Sequence, residues 1–167
     1  STTSTADFAA SMAMAYEFYK EYDAEFADKC LDSAKKAWEW VKENPKVLYS
    51  NPLDVVTGEY GDRVTSDEIY WAAAQLSRAT GDDSYLEGIA TKTGLDWSTV
   101  GDYGNIASLT SETADKSSEI YKNASAAVIE QADELLATTM SNNYGVALSS
   151  FHWGSNMTIA NAGIIMA

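Results

Sequence analysis

Cysteine and histidine are nearly missing from this chain of 167 residues, which holds one of each, Cys30 and His152. One cysteine cannot close an internal disulfide, so the fold does not rest on a disulfide framework, and the count leaves the redox compartment open. One histidine cannot build a zinc site, which needs several N or S ligands. Basic residues are scarce as well: 11 Lys plus Arg stand against 25 Asp plus Glu, a net charge of −14. Contacts to phosphate want Lys or Arg, so no nucleic acid and no membrane partner is expected of so acidic a surface. No apolar run approaches the roughly 20 residues that span a bilayer. What the chain does have is 46% hydrophobic residues. At this length it can bury about 70% of its unfolded surface, so it forms one domain at most, with a core.

The apolar residues recur with the period of helices. Phe8, Met12, Ala15, Tyr19 and Tyr22 mark one face over residues 8 to 22. A second helix over 24 to 43 follows at once, with Asp23 as N-cap, a stripe of Ala27, Cys30, Ala34, Trp38 and Val41, and Asn44-Pro45 as its stop. The two are expected to pair antiparallel. From Pro45 to Thr65 no helical period is present, only Tyr49, Pro52, Gly58, Tyr60 and Gly61 among small and polar residues. A loop this long in a compact domain is more often functional than decorative. Thr65-Ser66-Asp67-Glu68 has the spacing of a capping box and opens a third helix with Ile69, Ala72, Ala73 and Leu76 on its apolar face.

A short helix is expected over 83 to 93, a weaker one from about Val100 to Ser111, a long one over 116 to 139 and a last one from about Asn156. Ile120, Ala124, Val128, Ala132 and Leu135 form the apolar face of the long one. Val55-Val56 and Val146 to Leu148 are weak strand formers only. The fold class is therefore all-α, with about six or seven helices. Successive antiparallel hairpins with long loops at one end suit an α/α toroid better than a four-helix bundle. The final helix runs to Ala167 without a cap or polar tail, which is expected of a truncated element.

The residues that could carry chemistry are few. Asp67 and Glu68 are adjacent carboxylates at the end of a glycine-containing loop, and they offer the hard oxygens that calcium takes. The same acids in a first helical turn also serve as cap and dipole partners with no metal at all. Trp97, Trp153 and Tyr60 lie at junctions of loop and helix near glycine, where an aromatic face can meet the apolar C–H face of a sugar ring instead of a core. Trp38, Trp40 and Trp71 lie inside helical runs and read as packing. His152, beside Trp153, can donate a hydrogen bond to a hydroxyl or serve as a structural residue. Asn123-Ala124-Ser125 and Asn156-Met157-Thr158 fit the N-glycosylation pattern.

Three stretches together resemble the catalytic domain of glycoside hydrolase family 9. The most specific joins Thr57-Gly58-Glu59-Tyr60-Gly61-Asp62, the run from Ser66-Asp67-Glu68 through Trp71-Ala72-Ala73-Ala74-Gln75-Leu76, and Arg78-Ala79-Thr80-Gly81-Asp82-Asp83-Ser84-Tyr85-Leu86. It resembles the family's "TGxYGD…DExxWAAAxLxxxTGDxxYL" region. Upstream, Thr5-Ala6 through Phe26-Ala27-Asp28-Lys29-Cys30-Leu31 and Ala37-Trp38 is similar to the preceding helix pair, and downstream Phe151-His152-Trp153-Gly154-Ser155-Asn156 with Asn161 is similar to the "WGSN…N" segment.

The resemblance implies part of an (α/α)6 barrel from a secreted, extracellular, inverting β-1,4-glucanase, a cellulase. It implies β-1,4-glucan and cello-oligosaccharides as substrates, contacted through Trp153, Trp97, Tyr60 and His152. It also implies a structural calcium ion on Asp67 and Glu68, with Asp62 as a further ligand; where the family closes the site with an Asp after a Trp, this chain has Trp97-Ser98. The family domain is well over twice as long, and the whole of 1–167 is expected to be a middle fragment truncated at both ends, with the remainder of the parent catalytic domain as its partner. The family's Asp-x-Gly-Asp motif precedes this region and its acid Glu lies near the domain's far end, so no catalytic residue is assigned here. Gly101-Asp102-Tyr103-Gly104 resembles part of that motif, but Thr99 stands where its partner Asp belongs, and Asp102 reads as a loop or helix-start residue. The alternative is a self-contained helical module that binds a carbohydrate or a protein without hydrolysing anything.

Overall fold

The computed structural model describes residues 1–59 and 61–167; Tyr60, one of the expected sugar-contacting aromatics, lies outside the described residues. Among the described residues the chain is built from six α-helices and one 3-10 turn, without strands: α1 (Thr2–Tyr19), α2 (Ala24–Glu43), α3 (Ser66–Thr80), the 3-10 turn Asp83–Leu86, α4 (Gly101–Leu109), α5 (Glu119–Ser141) and α6 (Ser155–Met166). The expected antiparallel hairpin is present. Asp23 accepts from the Phe26 N–H at 3.0 Å to cap α2, and the segment leaving α2 returns to the start of α1, where the Thr2 N–H donates to the Val47 carbonyl at 2.8 Å.

The buried stripe of α2 is Ala27, Cys30, Ala34, Trp38 and Val41, the set given by the 3.6-residue period. The expectation for α1 is corrected. Its buried face is Ala6, Ala9, Ala10 and Ala13, whereas Phe8, Tyr19 and Tyr22 are exposed and Met12 is only partly buried. The reason is close approach: α1 packs against both α2 and α3, and α3 answers with Ala72, Ala73 and Ala74. Alanine has no side-chain entropy to lose and lets the backbones come together, so the large residues are left outside. Trp38 packs edge-on to Tyr85 with ring centroids 6.0 Å apart. Trp71 is half-buried beside Tyr103, but Trp40 is exposed, contrary to the packing role read from its helical position.

Between α3 and α4 the contact depends on Gly104, where a Cβ would lie 2.6 Å from the Tyr70 ring. A short helix over 83 to 93 does not form beyond Leu86. Val55-Val56 and 146–148 are irregular, and the only bridge among the described residues joins Asp96 to Thr99. Among the described residues no helix is long and apolar enough to cross a membrane.

Candidate functional site

Thr65 does not act as the cap that its spacing suggests. Its hydroxyl donates to the Pro45 carbonyl at 2.9 Å, which ties the head of α3 to the end of the first hairpin, and the N-cap position has no side-chain hydrogen bond. Glu68 is thereby released from a capping box. Asp67 and Glu68 turn inward instead, only 4% and 3% exposed. One oxygen of Asp67, Oδ2, accepts from the Val100 N–H at 3.0 Å. Its Oδ1 and the Oε2 of Glu68 are buried without a hydrogen-bond partner. Asp62 accepts from the Val64 N–H at 2.9 Å, in the loop just before.

A third carboxylate that the sequence reading missed belongs to this neighbourhood. Asp7, on α1, has a buried Oδ1 with no partner. Burial, with repulsion from Asp67 and Asp62, pushes its carboxyl up to about 6. Burial likewise pushes Glu68 up to about 8, with Asp67, Asp62 and Asp7 adding repulsion. Among the described residues no ion pair reaches these acids; the pairs lie at Glu25–Lys29, Glu39–Lys42, Glu17–Arg78 and Glu119–Lys122. Nor do three or more Asp, Glu, His or Cys side chains among the described residues form a group that could hold a metal, so Asp62 is near the pair without completing a triad with it. The only sequence signal for Asp7 is an acid placed next to the alanine face of α1.

The segment held by Asp67 leads to the aromatics. Asp96 and Thr99 exchange backbone hydrogen bonds at 2.9 and 3.3 Å, which makes Trp97-Ser98 the tip of a tight turn with the Trp97 ring 67% exposed. Two bonds fasten this turn to α6. Thr158 Oγ1 donates to Asp96 Oδ2 at 3.1 Å, and Asn161 Nδ2 donates to the Leu95 carbonyl at 2.8 Å. Trp153 lies just before α6, 98% exposed, followed by Gly154 at φ +87°, where a side chain would be strained. The Ser155 hydroxyl bonds to the backbone N–H and carbonyl of His152, and the His152 side chain faces solvent. Trp97 and Trp153 are thus open aromatic faces on two segments that are bonded to each other, and one of those segments is anchored on the acidic pair.

Asp102 has a different role. It is fully buried, accepts from the Gly94 N–H at 2.8 Å through Oδ2 and from Asn105 Nδ2 at 2.9 Å through Oδ1, while Asn105 also bonds the Tyr70 hydroxyl and the Lys92 carbonyl. A carboxylate with both oxygens used by the fold holds the 92–100 segment in place and is closed to water.

A sequence model of glycosyl hydrolase family 9 matches residues 1–167, the whole chain. Endoglucanase D of Acetivibrio thermocellus is 30% identical over 99% of this chain, which spans 28% of that protein. A thermostable endoglucanase from Alicyclobacillus acidocaldarius, solved as a D468A mutant, superposes with a TM-score of 0.86 at 29% identity, covering 99% of this chain and 33% of its own. AaCel9A in complex with a cellobiose-like isofagomine superposes with a TM-score of 0.87 at 30% identity, with the same coverage, 99% and 33%.

Proposed function

The chain belongs to glycosyl hydrolase family 9, and we propose that it is the part of a secreted, inverting β-1,4-glucanase that carries aromatic sugar contacts and a structural calcium site. Its helices form part of an (α/α)6 barrel. It spans 28% of the first relative and 33% of the solved chains, so the activity of the whole protein is inferred from kinship. The observation that carries the reading is the family match over the full length, together with exposed Trp97 and Trp153 on mutually bonded segments. A neighbour at 30% identity binds a cellobiose-like isofagomine, which supports cello-oligosaccharide as the ligand here.

Inverting hydrolysis needs an acid to protonate the leaving oxygen and a base to activate water, with the two carboxyl groups roughly 6.5 to 9.5 Å apart. In this reading both lie on the two thirds of the domain outside the matched segment, and this chain supplies binding. Trp97 and Trp153 stack on pyranose faces, and His152 donates to a hydroxyl at their side. Tyr60, outside the described residues, is proposed for the same surface.

Calcium fits the head of α3. Two buried carboxylate oxygens with no partner and no cation among the described ion pairs are costly unless a positive charge is supplied. Asp67 Oδ1 and Glu68 Oε2 would hold the ion, with Asp62 close by and neutral oxygens, from carbonyls or water, completing the shell. When bound, it neutralises the acids and fixes the segment that Asp67 anchors.

The reading is tested by giving a soluble cellulose derivative and cellopentaose to the protein that includes the rest of the domain. Release of reducing ends, with the product first seen by NMR as the α-anomer, is expected. Retention of configuration, or no action on β-1,4-glucan, would overturn it.

A further inference from the structure

We propose that Thr158 and Asn161, on α6, are positioning residues for the Trp97 sugar contact: they hold the turn at residues 95 to 99 against the head of α6, so that Trp97 and Trp153 stack on one and the same glucan chain. This rests on the reading of both tryptophans as sugar contacts and extends it to two side chains that act through the turn and not on the sugar.

Three observations carry it. The first is that the Trp97 ring is largely exposed, so packing does not hold it and its position follows from the backbone of the turn. The second is the Asp96 carboxylate, which has both oxygens in use: Oδ1 accepts from the Trp97 N–H at 2.8 Å and Oδ2 from the Thr158 hydroxyl at 3.1 Å. One side chain thus ties the backbone of the tryptophan itself to α6. Beside it, Asn161 Nδ2 donates to the Leu95 carbonyl at 2.8 Å, and Thr158 and Asn161 stand three residues apart on the same face of the helix. The third is that α6 also carries Trp153. Gly154, in the left-handed region, and Ser155, bonded to the backbone of His152, join that tryptophan to the first turn of the helix.

Two aromatic faces on separate segments serve a chain-like ligand better when their separation is fixed beforehand, because a loose turn must be ordered at the moment of binding and that cost is taken from the affinity. The other anchors of the turn do not fix it. Asp67 on the Val100 N–H and Asp102 on the Gly94 N–H fasten the two ends of the segment to α3 and α4. The angle of the turn to the head of α6 is left to Thr158 and Asn161. Because both act through Trp97, removing either one can cost no more than removing the Trp97 ring.

The experiment measures, by titration calorimetry, the affinity of the protein that includes the rest of the domain for a thio-linked cellopentaose, which a glycosidase does not cut. Trp97→Ala is expected to weaken binding roughly 2- to 12-fold, the worth of one aromatic contact. Thr158→Val, which keeps the shape and removes the hydroxyl, and Asn161→Leu, which acts on the same turn through Leu95, are each expected to weaken it by up to the same factor. Thr158→Ser, which keeps the hydroxyl, should bind as wild type does. The decisive comparison is a double-mutant cycle. Thr158→Val should add nothing in a Trp97→Ala background and keep its full effect in a Trp153→Ala background, whereas a merely structural Thr158 would weaken binding equally in both. That equal effect, or unchanged affinity in Thr158→Val and Asn161→Leu, would overturn the proposal while leaving the two tryptophans as sugar contacts. No binding by wild type, or no loss in Trp97→Ala, would overturn both.

Discussion

Glu68 and Asp7 hold their protons unusually tightly when no cation is present, at about 8 and about 6 against ordinary values of 4.5 and 3.8. Both are raised, so the stability linked to them is fully present below the ordinary values and is lost as pH rises through the folded ones. In chelator the melting temperature is therefore expected to fall as the pH is raised through about 6 and on to about 8, and saturating calcium should offset the fall; calorimetry across that range, with and without calcium, checks it. A flat profile in chelator would show that the buried oxygens have partners of another kind. The tryptophans divide in the same way between burial and display. Trp38 is 4% exposed, and Trp38→Ala should cost about 3 to 5 kcal/mol of stability. Trp153→Ala should leave stability within about 0.5 kcal/mol, since its ring is 98% exposed. It should weaken cello-oligosaccharide binding by roughly 1 kcal/mol, the worth of an aromatic contact, as titration calorimetry would record.

At the scale of the element, the α3–α4 contact is the tightest joint beneath the site. Gly104→Ala would place a Cβ 2.6 Å from the Tyr70 ring, which is itself bonded to Asn105. A loss of about 1 to 3 kcal/mol is expected in denaturant unfolding. A neutral result would mean that the ring can shift freely. Of the helices, α2 was legible because a moderate-sized stripe at 3.6 spacing needs no knowledge of its neighbours: Ala27, Cys30, Ala34, Trp38 and Val41 are all buried. The spacing of Phe8 and Tyr22 points to the wrong face of α1, because contact with two helices at once selects alanine. The capping box at Thr65 failed for a similar reason, since the hydroxyl is taken by a carbonyl 20 residues earlier. The acidic pair was visible as adjacent letters in a motif. Asp7 was not, because nothing local tells a carboxylate in one helix that a distant loop will bring it more of the same charge.

The molecule as a whole exposes 10300 Å². A compact monomer of this mass would expose about 8,100 Å². The excess is accompanied by large apolar residues open to solvent, among them Phe18, Tyr22, Val56, Ile129, Met140 and Tyr144. Where such residues are contiguous, they are ordinarily covered by a partner surface. In a family 9 barrel that partner would be the remainder of the catalytic domain, so the 167-residue chain alone is expected to bind a hydrophobic dye that the longer protein does not. On the reading proposed above, this chain binds glucan without cleaving it. The most direct test compares release of reducing sugar from a soluble cellulose derivative by the 167-residue chain and by the protein that includes the rest of the domain. The longer protein is expected to be active and the chain alone to stay at background. Sustained hydrolysis by the chain alone, abolished by Asp102→Asn without a matching loss of fold, would contradict it and place a catalytic carboxylate among these residues.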